Sequence, residues 1–222
     1  MTERPQTADL YRRDPDWSWL ASPAGVVLDG GALTFVHRMD PDEVFRKFGL
    51  DPSSAQMMTA EEALGDPVLR TAGFLSGPQW IRVAVSGEWT VVIEYVQMKT
   101  HIDSISSLMA RDTEVVYIAA NENDPAEVRY LSHGQLVFAF TCGGGYDSRA
   151  GTQRHMFDNE LTDSGLIDFS SDATIADNCV AMMAILGRRL GFTLTPETVT
   201  GPLPTAHRMH RYTPSLRDPG SD

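Results

Sequence analysis

Thiol chemistry has little material here: Cys142 and Cys179 are the two cysteines in a chain of 222 residues. They form no C-x-x-C pair and cannot build a disulfide framework, so a reducing compartment fits best. No stretch approaches the roughly eighteen apolar residues of a membrane helix. The opening MTERPQTADLYRRDPDW lacks the apolar centre of a signal peptide. A cytoplasmic protein with no membrane partner is expected. Cations are also scarce, with 18 Lys and Arg against 30 Asp and Glu and a net charge of -12. Only Arg12-Arg13, Arg188-Arg189 and the tail around Arg208 and Arg211 gather positive charge. None is dense enough for a nucleic-acid stripe, and the chain as a whole repels phosphate. No nucleic-acid partner is expected, whereas a basic protein would be attracted.

Catalytic signatures are missing as well. The sequence has no P-loop, no H-E-x-x-H, no Cys/His cluster, no G-x-S-x-G elbow and no kinase set. His207 and His210 have a ligand-like spacing, but they sit in a proline-bearing tail without a neighbouring carboxylate. No cofactor and no metal are expected. Glu88 and Glu94 flank one strand and are too far apart along it for a glycosidase pair. Glu94 interrupts an apolar face, which is read as that face meeting water toward the strand end.

One loop stands out. In TCGGGYDSRAG, residues 141–151, an apolar run ends in a cysteine and three glycines. The glycines are consecutive, no lysine follows and no helix starts at once, so a strand-terminating loop is expected instead of a phosphate cradle. A nucleophilic Cys142 would need a base. His155 is near in sequence, Asp147 would orient it, and Arg149 lies in the same loop. Cys142, Asp147, Arg149 and His155 are therefore the candidate catalytic residues of an alternative, enzymatic reading. Cys179 falls on an apolar helix face and reads as core.

What is present is local structure with clear punctuation. Trp17 and Trp19 are expected to dock on the core. Ala32 to His37 alternates as a strand. Asp40 caps a helix with Pro41 in its first turn, Asp42 and Glu43 suit its positive end, and Gly49 stops it. Thr59 and Glu62 have capping-box spacing, so Glu61 and Glu62 serve a helix start. Residues 51–58 read as loop. Residues 81–85 and 88–95 form a hairpin around Ser86-Gly87, with Trp89, Val91 and Ile93 on one face and Thr90, Val92 and Glu94 on the other. Residues 102–108 read as helical, 113–120 as a strand, and 127–131 with 135–140 as a strand pair turning at Ser132-His133-Gly134. Residues 174–190 carry the strongest helical stripe, through Ile175, Cys179, Met182, Met183, Leu186 and Leu190, and Gly191 ends it. Thr195-Pro196-Glu197 starts another helix.

Short strands joined by tight turns, without long β-α-β alternation, predict class α+β: one domain, a mostly antiparallel sheet, helices packed on one face. The domain is expected over 16–200, between a flexible N-terminal segment (1–15) and a flexible C-terminal tail (201–222).

The order Trp19-Leu20, Asp40-Pro-Asp-Glu-Val44, Gly87-Glu-Trp-Thr-Val-Val-Ile-Glu94, Val115-Val116 and Gly191-Phe-Thr-Leu-Thr-Pro-Glu197 resembles an uncharacterised actinobacterial family, a domain of unknown function. The likeness spans residues 16 to about 200, and its most specific parts are the WTVVIE hairpin and the LTPE ending. It implies a bacterial, cytoplasmic setting and brings no catalytic residues. The chain departs from it near 141–160, where the Gly143-Gly145 run replaces a more acidic, proline-rich loop. The expected function is a non-enzymatic protein-binding module, immunity-like or regulatory, with a small hydrolase or transferase centred on 141–160 as the alternative.

Overall fold

The computed structural model describes residues 16–21, 31–67, 80–94, 109–119, 126–141, 148–166 and 175–207. Among the described residues eight strands form one sheet: β1 (Ala32–His37), β2 (Gln56–Met58), β3 (Trp80–Ser86), β4 (Trp89–Glu94), β5 (Glu114–Ala119), β6 (Glu127–Ser132), β7 (Gln135–Thr141) and β8 (Leu203–His207). Their order across the sheet is β2-β8-β3-β4-β1-β5-β6-β7. Every neighbouring pair is antiparallel. Five helices lie wholly among the described residues: α1 (Pro41–Lys47), α2 (Ala60–Gly65), α3 (Asp158–Asp163), α4 (Ile175–Leu190) and α5 (Pro196–Thr200). This is the α+β class expected from the sequence.

Local signals act as their chemistry requires. The Asp40 side chain accepts the Asp42 N–H, and Pro41 opens α1. Thr59 and Glu62 make both halves of the capping box at α2. Thr195 accepts the Thr198 N–H at α5. Gly49 (φ 72) and Gly191 (φ 78) take the left-handed conformation that ends α1 and α4. His133 (φ 48) and Gly134 (φ 76) make the β6–β7 turn, where two successive positive φ values match the strand twist.

Alternation along the strands divides the core into two layers. Leu33, Phe35, Val91, Ile93, Val116, Ile118, Val128 and Phe138 face α4, which contributes Cys179, Met182, Met183 and Leu186. Trp17 and Trp19 are buried in the same layer, and Trp17 meets Phe35 and Phe192 edge-on at 6.0 and 5.9 Å. On the other face Val36, Val83, Val92 and Val115 pack against Val44 and Phe45 of α1. The principal helical layer thus lies on one flank, and the seven-residue α1 adds a smaller cover on the other.

Two sequence expectations require correction. Residues 203–207, expected in a flexible tail, form β8 and lie inside the sheet between β2 and β3. Residues 56–58, expected as loop, form β2 against β8. Both strands are too short, and β8 too proline-rich, to announce themselves by propensity; pairing with neighbours stabilises them. The helix expected at 102–108 lies outside the described residues.

Pro204 also dictates how this edge is wired. Proline has no N–H, so the Met57–Pro204 pair must be a non-hydrogen-bonded one. Met57 therefore directs its own N–H and C=O away from β8, toward the open side. The β3–β8 ladder stops at Arg82–Thr205, one residue before Pro204, for the same reason.

Candidate functional site

Of the four candidate catalytic residues, Cys142 and Asp147 lie outside the described residues. The chain on either side of them turns back on itself. Ser148 Oγ donates to Thr141 O at 3.3 Å. Ala139 and Ala150 exchange backbone hydrogen bonds of 2.9 and 3.0 Å, and the Thr152 and Gln153 amides donate to Leu136 and Val137 carbonyls. Residues 150–153 thereby cover the outer edge of β7. The close approach requires glycine at 151: φ is 105, and a Cβ there would stand 2.4 Å from the Val137 oxygen. Gly151→Ala is expected to cost about 2 kcal/mol in urea denaturation, from left-handed strain plus a backbone clash.

Arg149 and His155 are brought together by a residue the sequence reading did not select, Asp158, the first residue of α3. Arg149, its side chain 2% exposed, pairs through Nη1 with Asp158 Oδ1. Asp158 Oδ2 lies 3.0 Å from His155 Nδ1. Arg154 Nε donates to His155 Nε2 at 3.1 Å, which selects the tautomer whose Nδ1–H donates to Asp158. Asp158 thus takes the orienting role expected of Asp147. The i,i+3 spacing of His155 and Asp158 at a helix start was the available signal. A His–Asp pair is the base half of a nucleophile relay. Among the described residues, however, the imidazole hydrogen-bonds only Asp158 and Arg154, and no hydroxyl or thiol meets it. What the arrangement accomplishes is mechanical: a buried guanidinium ties the returning segment to α3.

The second polar feature overturns an expectation. Glu94 does not meet water; it is fully buried (0% exposed). Among the described residues neither carboxyl oxygen has a hydrogen-bond partner, and Thr34 Oγ1, one strand away, has none either. Burial pushes the Glu94 carboxyl up to about 8. Glu94 and Glu88 do not work as a pair. Six residues of extended chain place them roughly 20 Å apart, well beyond a glycosidase spacing. Glu88 instead accepts from Arg38 and lies 3.4 Å from His37, whose other ring nitrogen faces Glu114 at 3.5 Å. Tyr130 donates to Glu114 at 2.6 Å. This row of side chains clasps the opposite end of the strands.

The third feature is the other sheet edge. Among the described residues nothing pairs with the outer side of β2, in contrast to the covered edge of β7. Met57 is 63% exposed. From Phe48 to Pro67 the sequence holds four carboxylates, Asp51, Glu61, Glu62 and Asp66, and neither Lys nor Arg. Asp51, Glu61 and Glu62 are exposed. Met58 packs inward with Ala63 and Trp80, which fixes β2 against α2. Sequence reasoning missed this edge because three residues, Gln56-Met-Met58, carry no strand signature of their own.

No helix among the described residues is long and apolar enough to cross a membrane. No group of three metal-ligating side chains occurs among the described residues. No protein-family model, no curated protein and no solved structure matches the chain.

Proposed function

We propose that the chain is a regulatory or immunity-like protein-interaction module of a bacterium that accepts a basic, extended segment of a partner along the outer side of β2. The observation that carries this reading is the asymmetry of the sheet edges. One edge is closed by residues 150–153; the other presents the Met57 N–H and C=O, an exposed Met57 side chain and a fringe of carboxylates without a cation. An open edge is a template for strand addition, in which main-chain bonds supply affinity and side chains supply choice. The negative fringe steers a basic segment to it and disfavours an acidic one. The net charge of -12 extends the same preference to longer range.

A single substitution tests this. Met57→Pro removes the outward N–H yet leaves the Gln56–Thr205 and Met58–Leu203 pairs to β8. With an alternating lysine–valine peptide as probe, fluorescence anisotropy is expected to show saturable binding to the wild-type chain. About tenfold weaker binding is expected for Met57→Pro and for Glu61→Lys, with the interaction fading as salt rises. Equal binding by wild type and Met57→Pro would remove β2 from the account.

The Asp158–His155 pair favours a second reading, a small hydrolase or transferase using Cys142. Its test is alkylation of Cys142 by iodoacetamide at pH 6. An activated thiolate reacts about a hundredfold faster than a free cysteine, and Asp158→Ala abolishes the difference.

A further inference from the structure

We propose that residues 208–217 of this same chain occupy the outer side of β2 and hold that edge closed against a partner; the inference rests on the reading of β2 as an open edge. Residues 208–222 lie outside the described residues, but the structure fixes where that stretch leaves the sheet. β8 lies next to β2, with Thr205 opposite Gln56, and on its other side His207 stands opposite Trp80. His207 is therefore two residues beyond the level of Gln56, beside the turn Pro52–Ser54 that Asp51 caps. Passing that end of β2 to reach its outer side takes two strand spacings, about 10 Å, the span of roughly three extended residues. Arg208, Met209 and His210 cover it, and the next three, Arg211, Tyr212 and Thr213, come level with the three residues of β2.

Charge and strand chemistry select this stretch over the rest of the chain. No carboxylate occurs between Glu197 and Asp218, while Arg208, Arg211 and Arg217 fall there. The basic pair near the other terminus, Arg12-Arg13, is flanked by Asp9, Asp14 and Asp16. β2 offers the complement: Asp51 before it, Glu61 and Glu62 after it, and neither Lys nor Arg over residues 48–67. Arg208 and Arg211 thus meet Asp51, and Arg217 meets Glu61 and Glu62, in the order in which the chain supplies them. Reversal after β8 makes the added strand parallel to β2. In a parallel pair with Tyr212 opposite Met57, the Met57 N–H donates to the Arg211 carbonyl and the Met57 C=O accepts the Thr213 N–H. Tyr and Thr favour strands, and Pro214, without an N–H, ends the pairing where no further donor is needed. A basic segment of a partner must displace this stretch, so the chain's own end sets a threshold for binding.

Amide exchange of the full chain, followed residue by residue by nuclear magnetic resonance, tests this. The Met57 amide is expected to exchange about tenfold slower in wild type than in a chain carrying Arg208→Glu, Arg211→Glu and Arg217→Glu, with the difference shrinking as salt rises. Thr213→Pro, which leaves the charge unchanged, gives the same acceleration. The Gln56 and Met58 amides, which face β8, keep their rates in both variants and so report that β2 is intact. The lysine–valine peptide binds Thr213→Pro about tenfold tighter than wild type, because no competitor holds the edge. Equal Met57 exchange in all three chains overturns the proposal. So does wild-type protection that grows with protein concentration, which assigns the contact to a second copy. Equal peptide binding by wild type and Thr213→Pro, with Met57→Pro still weaker, overturns it too and leaves the partner reading standing. A Met57 amide that both variants deprotect, in a chain that binds no peptide, keeps the proposal and removes the external partner.

Discussion

Between pH 5 and pH 8 the wild-type chain loses stability relative to Glu94→Gln, by about 4 kcal/mol across the interval. The cause is a carboxyl that burial raises from an ordinary 4.5 to about 8. Below pH 4.5 both folded and unfolded chains hold the proton, and the group contributes no pH dependence. Between 4.5 and 8 the unfolded chain releases it while the folded chain retains it. Folding then binds a proton, and stability falls by about 1.4 kcal/mol per pH unit. Above 8 both states are ionised and the penalty is complete. Glutamine keeps the shape and the polar burial but cannot titrate, so at pH 5 the two proteins are expected to be about equally stable. Urea denaturation of both chains at unit steps of pH checks this, and the difference between them isolates Glu94 from every other titrating group. Parallel curves would show that the carboxyl is hydrated in the folded protein. The expected loss is a large share of the roughly 5–15 kcal/mol that holds a domain folded.

The second large effect is at Arg82, which is fully buried on β3. Its guanidinium donates to Val199 O at 2.5 Å, to Met58 O at 2.9 Å and to Gly201 O. These carbonyls belong to the end of α5, to β2 and to the approach to β8. One side chain therefore binds together the three segments that build the open edge. Arg82→Met fills much of the same volume and leaves one buried and two part-buried acceptors without their donor. The expected cost is about 4 kcal/mol, and Arg82→Lys, which loses the planar fork but keeps the charge, falls between. Amide hydrogen exchange supplies the diagnostic pattern. Protection falls most at 56–58 and 203–207 and least in the β4–β1–β5 centre. Uniform loss of protection would mean that Arg82 acts as generic core. Weaker peptide binding should accompany the local loosening, because β2 depends on β8 for its place.

Caps, stops and alternation were legible because each is decided within a few residues. Asp40 and Pro41 start α1, Thr59 and Glu62 close a box, and His133-Gly134 turns β6 into β7 without reference to the rest of the chain. The same alternation separated Trp89, Val91 and Ile93 from Thr90, Val92 and Glu94, and those are the observed faces. Alternation says that the faces differ; it does not say what covers each one. For that reason the strand pattern predicts a wet Glu94, whereas the folded protein holds it dry. Asp158 escaped notice for a related cause: its partner Arg149 is nine residues away, and the contact exists only because the chain reverses along β7.

The sequence by itself determined the antiparallel α+β class, the centre of the sheet and the long helix α4, since these follow from periodicity and from groups that satisfy one another locally. Tertiary structure alone decided that β8 enters between β2 and β3, that one sheet edge is closed while no described residue pairs with the other, and that a carboxyl and a hydroxyl are buried with no hydrogen-bond partner among the described residues. Strands of three and five residues gain their stability from neighbours distant in sequence, and burial is a property of what packs on a residue, not of the residue.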